Sequence, residues 1–450
     1  MTILSNSELY RFSPWLASAS LIGEDSKIVA FEDQKYRYFH PLLKSFPVGQ
    51  EGIIILRGPR RVGKTTLAKL LIKQLLIEQK IPKEAVIYYS LDQVADYKEL
   101  YQLVTDILDY CRERTNAHIY LFLDEISFVK EWQRAVKQLA DLNLLVKTTL
   151  FLTGSSAVDL LFSSEQLPQR RGKIYPADFE FSSLSFREFA RLVDPRLTRS
   201  EFSPNKLPQY RKLLSDYLLC GGFPGIINEY YQTGTIADIY YDNFAKWIEG
   251  DIYKIGRHPQ TAFRLFAEIA KRETTPVSLY ELSKETDLAS HATVSDYLTI
   301  LDKMFLIYTA RYFNLDQKKP DFKKNRKIYF LDPFIRNVVL AKNAASIDGA
   351  FEFSKKIIEE NRPALVEEVT GASLWRKNNN LFYGRTGEKE VDFVSKDKLF
   401  EVKYQNKVTP GEFNYLNPAL RKNLTVLSKA NFDDKNKIFP AEFFLAGFTP

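Results

Sequence analysis

The 450-residue chain sets 63 Lys and Arg against 56 Asp and Glu, a formal net charge of +7, with 45% hydrophobic and 26% charged residues. That balance excludes wholesale disorder and leaves room for several domains, each with a core of its own. Two cysteines, Cys111 and Cys220, exclude a disulfide framework, and neither lies in a metal-type spacing. The N-terminal MTILSNSELYRF has no basic-then-apolar leader, and no apolar run reaches the roughly 20 residues that cross a bilayer. A cytoplasmic protein with no membrane segment is expected.

Residues 1–49 read as a lead-in, followed by the stretch ILRGPRRVGKTT at 55–66. Ile53 to Leu56 form a buried-strand run, and Thr66 to Glu78 carry helical apolar spacing. Between them Gly58, Gly63, Lys64 and Thr65 satisfy G-x-x-x-x-G-K-[ST]. In such a loop, backbone N–H groups and the positive end of the helix surround a phosphate chain. Gly58, Gly63, Lys64, Thr65 and Thr66 are therefore the nucleotide-binding candidates. Lys64 reaches toward the β- and γ-phosphates and the Thr65 hydroxyl toward Mg²⁺.

A glycine-lysine pattern this short occurs by chance, so a second half is required. The apolar run Ile119 to Leu123 supplies it, ending in Asp124 and Glu125, with Asp124 lying 60 residues after Lys64. Asp124 is the candidate for Mg²⁺ and Glu125 for polarising the attacking water. ATP or GTP with Mg²⁺ is the implied ligand. A further strand, Thr149 to Leu152, runs into Thr153-Gly154-Ser155-Ser156. Thr153 and Ser155 are sensor candidates there, although small polar residues at a strand end also simply form turns. Arg170 and Arg171 are candidates for an arginine finger acting across a subunit interface, which would require a homo-oligomer; exposed loop charge is the alternative.

GPRRVGKTT, LFLDEISFVKEW, FLTGSSA, an Arg-Gly loop, SLSFREF and CGGFPGIINEY, in that order, resemble the archaeal-type AAA ATPases with an uncharacterised C-terminal domain. The resemblance runs from about residue 30 to the C-terminus. It implies an ATP-hydrolysing core over 50–190. One departure is Gln169-Arg170-Arg171-Gly172 where that family has a Gly-Arg loop, and it leaves the finger assignment open.

Residues 191–262 read as a helical lid, with the turn Gly221-Gly222-Phe223-Pro224 at its centre. Over 263–345 a winged helix-turn-helix is expected. Ser278 and Glu281 form a capping box, and Ser290 caps a second helix that buries Val294, Tyr297, Leu298, Leu301 and Met304. A strand from Phe305 to Arg311, a basic loop and the strand Lys327 to Leu331 complete the wing. Its stretch QKKPDFKKNRK, 317–327, carries six cations against one anion. Lys318, Lys319, Lys323, Lys324, Arg326 and Lys327 are candidate contacts for DNA phosphates. The second helix, with His291, Thr293, Ser295 and Asp296 at its start, is a poor base reader, so backbone and shape are the expected object of recognition.

Residues 346–450 alternate short strands: Leu381 to Tyr383, Glu390 to Val394, Leu399 to Tyr404 and Thr425 to Leu427. Asp392, then eight residues, then Glu401-Val402-Lys403 is the spacing of the PD-(D/E)xK nuclease fold, and the resembled family carries the same EVDF and EVK stretches. Strand alternation turns Glu401 and Lys403 to one face. Asp392 and Glu401, with Glu367, are metal candidates. Lys403 is the candidate to orient water, and Arg385 to contact a phosphate.

The fold expected from these readings is α/β: a P-loop AAA-type ATPase core with a helical lid, a winged helix-turn-helix and a C-terminal restriction-endonuclease-like domain. An ATPase that grips DNA, with branched or junction DNA suited to two DNA-facing surfaces, is the reading they favour. A nucleotide-gated Mg²⁺-dependent nuclease in defence or repair and a signalling switch with protein partners stay open beside it.

Overall fold

The computed structural model describes residues 6–154, 172, 174–197, 203–272, 274–286, 288 and 290–448. Continuous apolar runs without polar alternation make strands buried on both faces, the requirement of a parallel sheet covered by helices. Such runs give the first unit, Met1–Ser182, its sheet. After the short helices α1 (Asn6–Phe12), α2 (Ser26–Glu32) and α3 (Leu42–Ser45), β1 (Gly52–Arg57) leads into α4 (Lys64–Lys73). Then come β2 (Val86–Ser90), α5 (Tyr97–Arg114), β3 (Ile119–Asp124), α6 (Trp132–Asp141), β4 (Thr148–Thr153) and β5 (Asp178–Glu180). The five strands are parallel in the order β2-β3-β4-β1-β5.

Alternate residues of each strand feed opposite cores. Ile53, Ile55, Leu121, Leu123, Leu150 and Leu152 pack with α5 and α6. Ile54, Leu56, Tyr120, Phe122 and Phe151 pack with Leu67, Leu71 and Ile72 of α4. An edge strand exposes unpaired backbone groups, and the N-terminal segment covers those of β2. The Ser13 hydroxyl donates to the Tyr88 carbonyl at 2.8 Å and accepts from its N–H at 2.9 Å, and the Trp15 indole donates to the Val86 carbonyl at 2.7 Å.

The second unit, Ser183–Pro450, opens with helices: α7 (Phe186–Val193), α8 (Leu207–Cys220), α9 (Pro224–Thr233), α10 (Asp238–Lys254) and α11 (Pro259–Lys271). The glycine pair between α8 and α9 is forced by crowding. Gly221 has φ +61°, and a Cβ there would stand 2.2 Å from a carboxylate oxygen of Asp332. At Gly222 a Cβ would lie 2.1 Å from the Leu184 carbonyl oxygen. Asp332 receives the Gly222 N–H at 2.9 Å and caps the helix that follows it.

Next stand α12 (Leu279–Glu285), with the Ser278–Glu281 capping box in place, and α13 (His291–Lys303), capped by Ser290. Val294, Tyr297, Leu298, Leu301 and Met304 are buried. The strands β6 (Ile307–Asn314), β7 (Lys319–Pro320) and β8 (Lys327–Phe330) precede α14 (Pro333–Asn343), α15 (Ala350–Glu360) and α16 (Arg362–Asn378). The chain closes with β9 (Leu381–Thr386), β10 (Lys389–Ser395), β11 (Lys398–Lys403), α17 (Pro418–Lys422), β12 (Leu424–Ser428), β13 (Ile438–Pro440) and α18 (Ala441–Leu445).

The helix pair and hairpin expected over 263–345 are present, but the hairpin does not stand alone as a wing. β6 pairs in parallel with β9, from Ala310↔Leu381 to Asn314↔Arg385. The strands beyond residue 380 and the hairpin thus make one eight-stranded sheet, β13-β12-β11-β10-β9-β6-β7, with β8 also on β6. The division expected at 345/346 is crossed by that sheet. Within it β9, β10 and β11 form an antiparallel meander, β12 and β13 run parallel to β11 and to each other, and α16 packs against β8 to β11.

Gly222→Ala is expected to destabilise the second unit by about 3 kcal/mol, because backbone carbonyls cannot step aside. Gly225→Ala, in α9 with open space around it, should stabilise it slightly, by up to about 1 kcal/mol. Urea denaturation of the full chain followed by tryptophan fluorescence measures both.

Candidate functional site

Parallel strands whose ends share one edge bring distant residues together there. Lys64 is the first residue of α4, capped by Gly63 at φ +111°. Its ammonium donates to the carbonyls of Gly58 and Pro59, 2.8 Å each, and is almost fully buried. Gly58 is required by the close approach of the residue after β5, since a Cβ there would stand 2.0 Å from the Phe181 carbonyl oxygen.

Asp124 ends β3 and is buried. One of its oxygens accepts from the Thr65 hydroxyl at 2.7 Å and from the Tyr88 hydroxyl at 2.9 Å, and the other accepts from the Glu125 N–H at 3.1 Å. Glu125 has φ +60°, a conformation uncommon for a residue with a side chain and enriched at functional sites. Burial, and then Asp124, push the Tyr88 phenol well above its usual range, so it remains a proton donor to that carboxylate. Thr153 ends β4 between β1 and β3, and its buried hydroxyl has no hydrogen-bond partner among the described residues. An orphaned donor beside a lysine loop and a hydroxyl–carboxylate pair fits a bound phosphate chain with a hard cation on oxygen ligands. Thr66 is half-buried in the first turn of α4. Ser155, Arg170 and Arg171 lie outside the described residues.

The second unit gathers another set of charges. Glu367 on α16, Glu390 and Asp392 on β10, and Glu401 and Lys403 on β11 converge around Lys327 of β8. The Lys327 ammonium is 3.1 Å from Glu367, 2.8 Å from Glu390 and 3.3 Å from Asp392. Lys403 pairs with Glu401 at 2.8 Å. Asp392 accepts the Val402 N–H at 2.8 Å and donates its own N–H to Glu401 at 3.2 Å. It lies where the β9–β10 register slips by one residue, a bulge that re-aims side chains. Burial raises the Glu367 carboxyl to about 8, helped by Asp392 and opposed by Lys327 and Tyr329. Burial likewise lifts Glu401 to about 7, with Asp392 adding and Lys403 opposing. For Lys327 burial works against the charge, but the carboxylates of Glu367, Asp392 and Glu390 outweigh it and hold the ammonium protonated.

Two expected DNA contacts change meaning here. Lys327 is not a phosphate contact: its side chain is 2% exposed and spent on three carboxylates. Arg385 forks onto Glu390 at 2.8 and 3.0 Å, so its guanidinium already has an anion. Lys318, Lys319, Lys323 and Lys324 are exposed, and Arg326 is half-buried with its pKa lowered by burial and by Arg311. The donor set also does not fit the metal expected at Glu367, Asp392 and Glu401. An ammonium already stands against two of those carboxylates, and a second ammonium is bonded to the third.

Comparison with known proteins covers the stretch that contains the first of these sites. Residues 50–190 match an AAA domain. Residues 211–346 match a domain of unknown function. An uncharacterized protein of Haemophilus influenzae is 27% identical over 375 residues, 78% of this chain and 81% of its own. The Walker-type ATPase of Pyrococcus abyssi superposes with a TM-score of 0.42 at 14% identity, covering 66% of this chain and 93% of that one. For the ORC1 protein of Aeropyrum pernix, solved in complex with DNA, the values are 0.33 and 13%, covering 73% and 94%. For the RuvB Holliday junction branch migration motor of Thermotoga maritima they are 0.30 and 14%, covering 63% and 87%.

In the first unit, sequence reasoning missed the support behind Asp124. Tyr88 sits inside the apolar run VIYYS and carries no motif. Lys69, one turn beyond Thr65, is buried against the Tyr88 ring at 3.5 Å and the Trp15 ring at 4.9 Å, and is paired with Asp25 at 3.1 Å. Burial lowers its pKa and Asp25 opposes that fall. The available signal was a lysine set among the apolar residues Leu67, Ala68, Leu70, Leu71 and Ile72 of α4. Tyr88→Phe removes a hydrogen bond to Asp124 without emptying the site. It should weaken Mg²⁺-dependent nucleotide binding by about tenfold and leave binding in EDTA unchanged, as read by titration with a fluorescent ATP analogue.

Proposed function

We propose that this chain is a P-loop ATPase whose nucleotide state governs the grip of its second unit on DNA. The observation that carries the reading is the meeting of Lys64, Thr65, Asp124 and the Thr153 hydroxyl, without a partner among the described residues, at neighbouring parallel strand ends. Lys64 exchanges its two loop carbonyls for phosphate oxygens when ATP enters. Thr65 and Asp124 hold Mg²⁺, which neutralises charge on the phosphates. Glu125 takes the proton of the attacking water, and Thr153 donates to a phosphate oxygen as charge develops there.

The DNA half of the proposal is supported by the β6–β8 connection, where Lys318, Lys319, Lys323 and Lys324 stand exposed. Phe322, 58% exposed among them, lies under the Arg311 guanidinium at 5.3 Å. Cations alternating with an exposed aromatic ring suit phosphates beside an unstacked base, and so a junction or other branched DNA. Sequence reading recorded the cations of QKKPDFKKNRK and passed over its phenylalanine.

Glu125→Gln should lower ATP turnover by about a hundredfold or more while nucleotide binding persists. Full turnover in that variant, measured by phosphate release, would remove Glu125 from the mechanism. The Lys323→Gln, Lys324→Gln double variant should weaken DNA binding alike for all sequences. It should also flatten the log K against log salt slope by up to about 1.8. An unchanged slope in a fluorescence-anisotropy titration, with a branched and a linear duplex compared at matched salt, would displace the hairpin as the DNA contact.

A further inference from the structure

From the carboxylate cluster of the second unit we infer that Lys327 is its resident cation, standing where a nuclease would hold a divalent ion, so that this site does not cut DNA. A lysine ammonium has three N–H donors and no acceptor. Here three carboxylates, from Glu367, Glu390 and Asp392, lie at 3.1, 2.8 and 3.3 Å from it. All its donors have anions, and two of those anions are the ones a metal would need.

The arm is fixed as well as filled. β8 pairs with β6 at Lys327↔Ala310, and the Tyr383 hydroxyl donates to the Asn325 carbonyl at 2.8 Å just upstream. Two residues on, and so on the same face of the strand, the Tyr329 hydroxyl donates to Glu367 at 2.6 Å. The lysine side chain is 2% exposed. Four carboxylates share three cations, Lys327, Arg385 and Lys403. Glu401 takes Lys403, Glu390 takes Arg385 in addition to Lys327, and no carboxylate of the four is left without a cation. A divalent ion entering this set would meet a buried ammonium held among its own ligands, and the repulsion between like charges in a desolvated site is severe.

This inference does not depend on the nucleotide site, and its test is run on nucleotide-free full-length protein. Mn²⁺ binding is followed by electron paramagnetic resonance, counting only the Mn²⁺ whose binding Asp392→Asn abolishes. Wild type should show none, and Lys327→Met should gain one such Mn²⁺ per chain, as should Lys327→Gln if the methionine variant fails to fold. Wild-type protein incubated with plasmid and Mg²⁺ or Mn²⁺ should leave it supercoiled. Asp392-dependent Mn²⁺ binding by wild type, Asp392-dependent nicking by wild type, or the absence of a new site in folded Lys327 variants would each overturn the inference. DNA affinity measured on the same samples reports separately on the proposed function.

Discussion

The hydrogen bond from the Thr65 hydroxyl to Asp124, 2.7 Å long, joins the two halves of the candidate nucleotide site. Everything in the first unit that bears chemistry is arranged so that this bond can form. Thr65 belongs to the first turn of a helix launched by β1, and Asp124 ends β3, yet those strands are not neighbours. β4 runs between them and brings Thr153 to the same edge. A parallel sheet buried on both faces holds the three strand ends in register. The Ser13 and Trp15 hydrogen bonds finish its β2 edge, from which Tyr88 reaches Asp124.

The second unit solves a different electrostatic problem. It gathers two buried and two half-buried carboxylates in one corner of a sheet, a cost no fold sustains unless the charges are paired or neutralised. Lys327, Lys403 and Arg385 supply the pairing, and burial raises Glu367 and Glu401 toward the protonated state. The hairpin that presents exposed lysines to solvent at its tip is the same hairpin that sends Lys327 inward at its base. Outward cations and an inward one, a few residues apart, give one β-ribbon two electrostatic duties.

How much of this was legible depended on whether the signal was local. The P-loop, the acidic end of the Ile119 to Leu123 run, and the capping residues Ser278, Glu281 and Ser290 each announce themselves within a handful of residues. Their elements stand where local physics puts them. The convergence of Asp392, Glu401 and Lys403 was legible as strand spacing, with Glu367 offered by a helix-like stretch. The parallel pairing of β6 with β9 was not, because 71 residues separate Ala310 from Leu381 and no local pattern encodes a partner. Lys327 followed from that omission. Within QKKPDFKKNRK it is one cation of six, and only the sheet distinguishes the four exposed lysines from the half-buried Arg326 and the buried Lys327.

The central claim is that the nucleotide held by the first unit sets the DNA affinity of the second. The most direct measurement is a titration of a fluorescent four-way junction with the full chain, saturated in turn with a non-hydrolysable ATP analogue and with ADP, at one fixed salt concentration. The account predicts dissociation constants differing severalfold between the two nucleotide states. Equal dissociation constants would contradict it.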